Sequence, residues 1–213
     1  LLYCINSKAN DTLYNQEIIC YDGKTFIMEE MEGLNFKINA KSFFQTNTEQ
    51  AYELYKITRD FAGLEGKELV YDLYTGTGTI AQFIAKDCNR VVGVESVPEA
   101  IEAANTNAKE NGIKNAFFEV GDMRRVFNQD FINRHGKADV VIADPPRNGM
   151  HPAVVKQLLF LQPEKIVYVS CNPSTQARDL FLMKDHYKLV RSKAIDLFPQ
   201  TQHVENVVLL EKI

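Results

Sequence analysis

An α/β, Rossmann-like fold is predicted: a mostly parallel seven-stranded sheet ending in a C-terminal antiparallel hairpin, with a short N-terminal β extension. Three observations predict it. From Asn47 onward, apolar strand-like runs alternate with segments whose apolar residues recur at helical spacing. Turn residues (Gly, Pro, Asn) punctuate those runs. The last two β runs are separated by only a short loop, so they pair antiparallel, whereas each earlier strand is followed by a helix long enough to cross over.

Residues 1–42 read as the β-rich extension, with segments Leu2–Ile5, Glu17–Tyr21, Thr25–Glu29 and Leu34–Ile38 and turn clusters at Asn10-Asp11 and Asp22-Gly23. It is too thin to hold a core of its own. The main domain is expected over 43–213. Its first helix, Thr48–Phe61, carries Ala51, Leu54, Tyr55, Ile57 and Phe61 on one side. A strand at Glu68–Leu73, a helix from Ile80 to Lys86 and a strand at Arg90–Val94 follow. Pro98 suits the first turn of the next helix, and Asn111-Gly112 stops it. Further strands are expected at Ala116–Val120, Ala138–Ala143 and Lys165–Val169, with helices at Val126–Phe131, Pro152–Phe160 and after Pro173. The closing hairpin takes Tyr187–Asp196 and His203–Leu210.

Composition narrows the function. The 213 residues are 45% hydrophobic, as in an ordinary packed core, and no apolar run approaches the roughly 18 residues of a membrane span. Cys4, Cys20, Cys88 and Cys171 are scattered without a CxxC pair, so no metal is expected and a reducing cytoplasmic setting is. The net charge of −4 argues against a free-standing nucleic-acid binder and leaves room for a catalytic piece gripping RNA elsewhere. Lys184/Lys188/Arg191/Lys193 and Arg124/Arg125 read either as phosphate contacts or as a solvated face. Leu1 stands where a Met would open a full chain, so a fragment or processed product is expected.

Two strands end in reactive side chains. Ile166–Ser170 stops at Cys171-Asn172-Pro173, and Val140–Ala143 stops at Asp144-Pro145-Pro146-Arg147. The carboxyl ends of strands are where open α/β sheets bind ligands. A thiol and a carboxylate there suggest covalent chemistry on a planar ring. Uracil suits it: carbon 6 is electrophilic, and carbon 5 becomes nucleophilic once a thiolate adds. Amides of the helix after Pro173 are expected to favour that thiolate. The competing reading of Cys171 is a buried small hydrophobe. Once carbon 5 has taken on a new group, a base must remove its proton; Glu205 is the first choice and His203 its rival, since alternation sets both on one face. Glu205 also reads as an exposed hairpin acid. Arg147 suits a phosphate, a uracil carbonyl or an ion pair.

The segment Asp72-Leu73-Tyr74-Thr75-Gly76-Thr77-Gly78-Thr79 follows the first strand of the main domain and opens a helix. Its GxG lacks the third glycine of the dinucleotide fingerprint, with Ala81 in that place. Glu95 ends the next strand, where an acid accepts from ribose hydroxyls, and Asp122 follows the third, in reach of an adenine amino group. Acids at successive strand ends with no phosphate-binding cation suit S-adenosylmethionine better than NAD. The plainer alternatives are a helix cap for Asp72, a solvated acid for Glu95 and a turn residue for Asp122.

Taken together, Phe43-Phe44-Gln45-Thr46-Asn47, DLYTGTGT (72–79), VVGVE (91–95), DPPRNG (144–149), SCNPSTQARD (170–179) and DLFPQTQHVE (196–205) resemble the RNA uracil-5-methyltransferase family. They run in the family's order from Phe43 to the end. The resemblance implies a class I methyltransferase fold and methylation of carbon 5 of an RNA uridine, ribosomal RNA ahead of transfer RNA. It implies Cys171 as nucleophile, Glu205 as base, and Gln45, Tyr74, Thr79, Glu95, Asp122 and Asp144 around S-adenosylmethionine. Thr75 replaces a cysteine common in the family, which is not the nucleophile. No N-terminal RNA-binding barrel is seen, so the chain is expected to be the catalytic domain of a longer enzyme, with 1–42 the tail of a central domain. A cytosine-5 methyltransferase, a nitrogen methyltransferase (DPP lacks its aromatic fourth residue here) and a non-catalytic scaffold are the rival readings.

Overall fold

The computed structural model describes residues 1–9, 16–41 and 43–213. The expected Asn10-Asp11 turn lies outside them. Two short strands, β1 (Leu2–Tyr3) and β2 (Ile19–Cys20), pair antiparallel, and β3 (Phe26–Met31) and β4 (Leu34–Asn39) form a hairpin. Then come α1 (Thr48–Ala62), β5 (Leu69–Leu73), α2 (Thr79–Ile84) with a 3₁₀ turn at Ala85–Asp87, β6 (Arg90–Glu95), α3 (Pro98–Glu110) and β7 (Ala116–Val120). The second half runs α4 (Gln129–His135), β8 (Val140–Ala143), α5 (Pro152–Leu161), β9 (Lys165–Ser170), α6 (Pro173–Met183), β10 (Tyr187–Ile195) and β11 (Glu205–Lys212).

The main sheet has seven strands in the order β10-β11-β9-β8-β5-β6-β7. Strands β5 to β9 are parallel, and β11 is inserted antiparallel between β9 and β10. One expected helix moved. Residues 126–131 were the expected span, but α4 begins at Gln129, because Asn128 caps it by accepting from the Phe131 amide at 3.0 Å. The preceding residues are held as a turn instead: Val126 N–H bonds the Asp122 carbonyl and Phe127 N–H bonds Gln157.

Alternate residues of the central strands feed two cores. Val70, Val91, Ile142, Val167 and Val207 face α1 and α2, whereas Tyr71, Val92, Val141, Ile166 and Val208 face α4, α5 and α6. Burial on both faces is why these strands read as continuous apolar runs. The β3–β4 hairpin joins the first core through Phe36, which is fully buried. Asn107 of α3 and Asn111, its C-cap, pair with the hairpin backbone as a strand would: Asn107 with Lys37 (3.0 and 3.4 Å) and Asn111 with Asn35 (2.8 and 3.0 Å). Glu32 at the hairpin turn binds Arg59, Lys86 and Tyr52, and the Arg59 guanidinium holds its carboxyl well below the ordinary carboxylate range. Among the described residues, no helix is long and apolar enough to cross a membrane.

Beyond β5 the chain winds outward through β6 and β7, then crosses back to β8 and β9 on the other side. The strand order therefore reverses between β5 and β8, and ligands of open α/β sheets bind at such a crevice.

Candidate active site

The first wall of that crevice is the loop after β5. Tyr74 leaves the strand at φ 61°, a left-handed conformation that side chains rarely adopt and that tends to mark functional loops. Asp72 organises the loop from below. It is buried, and its Oδ2 accepts from Thr75 Oγ1 at 2.5 Å and from the Ala81 amide of α2 at 3.2 Å. The helix-capping alternative for Asp72 is therefore partly met, although Gly78 occupies the N-cap position itself. Burial raises the Asp72 pKa to about 7.

The two glycines do different work. Gly76 and Gly78 both hold left-handed backbone, at φ 54° and 75°. A Cβ on Gly76 would meet open space, but one on Gly78 would lie 2.7 Å from the Phe118 ring. Gly93 on β6 faces the same ring, and a Cβ there would sit 2.6 Å from Phe118 and 2.8 Å from Thr75 Oγ1. Gly78 thus serves close packing against β7. Gly93→Ala is expected to cost about 1–3 kcal/mol through overpacking. Because it displaces Thr75, it is also expected to weaken binding of S-adenosylhomocysteine, read together by thermal melting and calorimetry; unchanged affinity would show the loop to be independent of that contact.

Glu95 closes the second wall. Its Oε1 accepts from Ser96 N (2.6 Å), Ser96 Oγ (2.8 Å) and Val97 N (3.1 Å), which leaves Oε2 beside the Gly76 amide at 3.4 Å. One oxygen is spent on orientation and the other faces the loop. Asp122 is less free than the sequence suggests. Arg124 grips both its oxygens (2.7 to 3.1 Å) and lowers its pKa to about 2. Thr79 is buried with its hydroxyl 3.3 Å from that of Thr77. Gln45 is buried just before α1, whose cap Asn47 donates to the Leu197 carbonyl at 2.9 Å and so ties α1 to the loop between β10 and β11.

The third wall carries the reactive groups. Asn206 of β11 pairs with Ser170 of β9 at the end of the ladder, so Cys171 and Glu205 are the next residues beyond that pair, near enough for Glu205 to act on the thiol. Glu205 is 5% exposed, so the exposed-hairpin alternative fails. Burial raises its pKa. Asp144, one residue past β8, is half-buried, and among the described residues no hydrogen-bond donor reaches its carboxylate. Burial, then the charges of Glu205 and Asp72, raise its pKa to about 8. Cys171 is half-buried, neither a buried hydrophobe nor fully exposed. Its pKa is raised by burial and by Glu205 and Asp144, against a smaller lowering by Arg147.

That direction corrects the expectation of a helix-stabilised thiolate. The start of α6 caps itself: Asn172 Oδ1 accepts from Ser174 N at 3.2 Å, and the Asn172 carbonyl accepts from Gln176 N. His203 also departs from expectation. It precedes β11, so the alternation that paired it with Glu205 does not extend to it. Arg147 Nη1 lies 3.0 Å from His203 Nδ1, and a guanidinium only donates, so Nδ1 accepts and the ring proton sits on Nε2. Of the basic residues the sequence groups, Lys188 pairs with Glu211, Arg191 with Asp60, Arg124 with Asp122, and Lys184 lies over the Phe181 ring, while Lys193 and Arg125 are exposed.

Sequence reasoning missed the ties that hold these loops. The Arg147 carbonyl accepts from Asn172 Nδ2 and Thr175 Oγ1, both at 3.2 Å. Buried Gln176 donates to the Tyr168 and Asn206 carbonyls (2.8 and 3.2 Å) and accepts from Asn206 Nδ2, locking β9, β11 and α6 together behind Cys171. The Asn-Pro helix start was a visible signal for Asn172. For Gln176 nothing local marks its burial.

Two curated relatives and two solved structures are similar to this chain. An uncharacterized RNA methyltransferase of Porphyromonas gingivalis is 62% identical over 99% of this chain, and one of Bacteroides thetaiotaomicron is 60% identical. The chain spans only 46% of each of those two proteins. The crystal structure of Pyrococcus abyssi tRNA (uracil-54, C5)-methyltransferase in complex with S-adenosyl-L-homocysteine is 38% identical and superimposes with a TM-score of 0.84, covering 98% of this chain and 50% of that one. M. jannaschii TYW2 in complex with AdoMet, at 22% identity and a TM-score of 0.63, shares the fold alone. The fold is that of class I methyltransferases. The model of the family described as tRNA (Uracil-5-)-methyltransferase matches residues 20–213, nearly the whole chain, and the chain belongs to that family.

Proposed function

We propose that this chain is the catalytic part of an S-adenosylmethionine-dependent enzyme that methylates carbon 5 of a uridine in RNA. The observation that carries the reading is the strand-end register that brings Cys171 and Glu205 near each other, with Asp144 at the adjacent switch point. Family membership and the likeness to the Pyrococcus enzyme support it.

S-adenosylmethionine fits the residues present. The crevice is lined by the acids Glu95 and Asp144, suited to a cationic methyl donor, and among the described residues no hydrogen-bond donor reaches the half-buried Asp144 carboxylate. Glu95 would take the ribose; Tyr74, Thr79, Gln45 and Asp144 would line the rest, and Asp122 would take the adenine with the oxygen lone pairs that Arg124 leaves. When bound, the cofactor supplies an electrophilic methyl group.

The chain's own residues handle the uracil, flipped out of its stack. The Cys171 thiolate forms a bond to carbon 6, and the ring's electron pair moves to carbon 5 and the carbon-4 oxygen. Carbon 5, now nucleophilic, becomes methylated while still bearing its proton. Glu205 takes that proton, the carbon 5–carbon 6 double bond reforms, and the sulfur–carbon bond breaks to return the thiolate. Arg147 and the His203 Nε2–H stand at the mouth as donors for a uracil oxygen or a phosphate.

Ribosomal RNA is the substrate class the sequence resemblance favours, while the Pyrococcus neighbour is named for a tRNA uridine; the test offers both. Incubation with ribosomal and transfer RNA and methyl-labelled S-adenosylmethionine, followed by nucleoside digestion, is expected to yield labelled 5-methyluridine. Label in 5-methylcytidine or on a base nitrogen would overturn the reading.

A further inference from the structure

Two residues of α6 have no part in the chemistry above, yet they hold the segment that begins at Asp144. Asp179 is fully buried. Its Oδ2 accepts from the Met150 amide at 2.7 Å and the Tyr168 hydroxyl at 2.8 Å, and its Oδ1 accepts from Arg178 Nε and Nη2 at 2.9 and 2.7 Å. Arg178 Nη2 also donates to the carbonyls of Asn148 and Met150, at 2.9 and 3.3 Å. Gly149 lies between them at φ 76°, and a Cβ there would fall 2.6 Å from Asp179 Oδ2 and 2.7 Å from Arg178 Nη2. No side chain fits under this clasp. Earlier in the segment, Asn172 and Thr175 hold the Arg147 carbonyl. Cys171 directly precedes Asn172, the N-cap of that same helix.

We infer that Arg178 and Asp179 are positioning residues that set the separation between Cys171 and the Arg147–Met150 segment, and that they act on turnover rather than on cofactor affinity. The inference rests on the proposed role of Cys171. The helix that starts just after Cys171 also clamps the neighbouring loop about two turns later, so the nucleophile and the Arg147–Met150 segment move as one body. A buried carboxylate with all its donors in place is stiff. The Asp144 amide is held separately, by the Leu73 carbonyl at 3.3 Å, and Glu95 and the loop after β5 lie outside the clamp, which is why donor affinity is spared.

Asp179→Asn is the sharpest test. The amide oxygen still serves Met150 and Tyr168, but the NH2 group opposes the Arg178 donors, so only the link between the two residues is cut. Arg178→Ala cuts it from the other side, at a side chain 52% exposed, and leaves Asp179 its bonds from the Met150 amide and the Tyr168 hydroxyl. Expected in both variants are a kcat for RNA methylation lowered about 100-fold, in line with the cost of an ångström-scale misplacement, and an RNA KM and S-adenosylhomocysteine affinity within about twofold of wild type. Amide exchange at 147–150 should quicken about tenfold or more in Arg178→Ala. Unchanged kcat in both variants would overturn the inference, as would donor affinity and melting temperature falling in step with kcat. If wild type methylates no uridine, the proposed function fails by itself. The exchange arm then decides the clamp, because unaltered exchange at 147–150 overturns it and faster exchange upholds it.

Discussion

Cys171→Ala is expected to abolish the covalent protein–RNA adduct and to lower methyl transfer by about 10⁴-fold or more, the scale seen when a nucleophile is removed from a covalent mechanism. The effect should be confined to chemistry. The side chain is half-buried at a strand end, outside both apolar cores, so the melting temperature and S-adenosylhomocysteine affinity should stay near wild type. Denaturing gels with methyl-labelled donor and RNA read the adduct, and nucleoside digestion reads turnover. A nitrogen methyltransferase would keep its rate, because attack by an amino group needs no thiol. Turnover above about a tenth of wild type would therefore sink covalent addition at this residue, being far too small a loss for a missing nucleophile.

Much of the frame was legible because its signals are local. Pro98, Pro152 and Pro173 mark the starts of α3, α5 and α6, and the both-face burial of β5, β6, β8 and β9 shows as unbroken apolar runs. Cys171, Asp144 and Glu95 were legible as candidates since a polar side chain that ends such a run must lie at the sheet's edge. Electrostatic state was not legible, because it depends on residues distant in sequence. The raised thiol pKa of Cys171 comes from burial and from Glu205, 34 positions on, which becomes its neighbour only through the antiparallel insertion of β11. Likewise the Arg147–His203 contact that fixes the imidazole tautomer joins two loops 56 positions apart. The late start of α4 is a subtler miss: Asn128 is a good cap in sequence, but the rival start at Val126 is removed only by the bond from Phe127 to Gln157.

Glu205→Gln is expected to separate the two halves of the reaction. Loss of the base should slow proton removal from carbon 5 by about 10²–10⁴-fold, so that a methylated adduct accumulates where wild type shows little. Adduct formation itself should not suffer. Ionised Glu205 raises the Cys171 pKa, and a neutral glutamine removes that charge, so the pH profile of adduct formation should move toward lower pH in the variant. The stability profile carries the opposite sign of evidence. Glu205 has a folded-state pKa above its ordinary value, so the stability it contributes is complete below about pH 4.5 and is lost as pH rises through the raised pKa. The glutamine variant has no such loss, so its melting temperature relative to wild type should improve between acidic and neutral pH. Free 5-methyluridine released at the normal rate, or an adduct profile shifted toward higher pH, would remove Glu205 from this role. Burial explains why a carboxylate suffices: the desolvation that makes its charge costly in the folded protein also strengthens it as a base toward a carbon-bound proton.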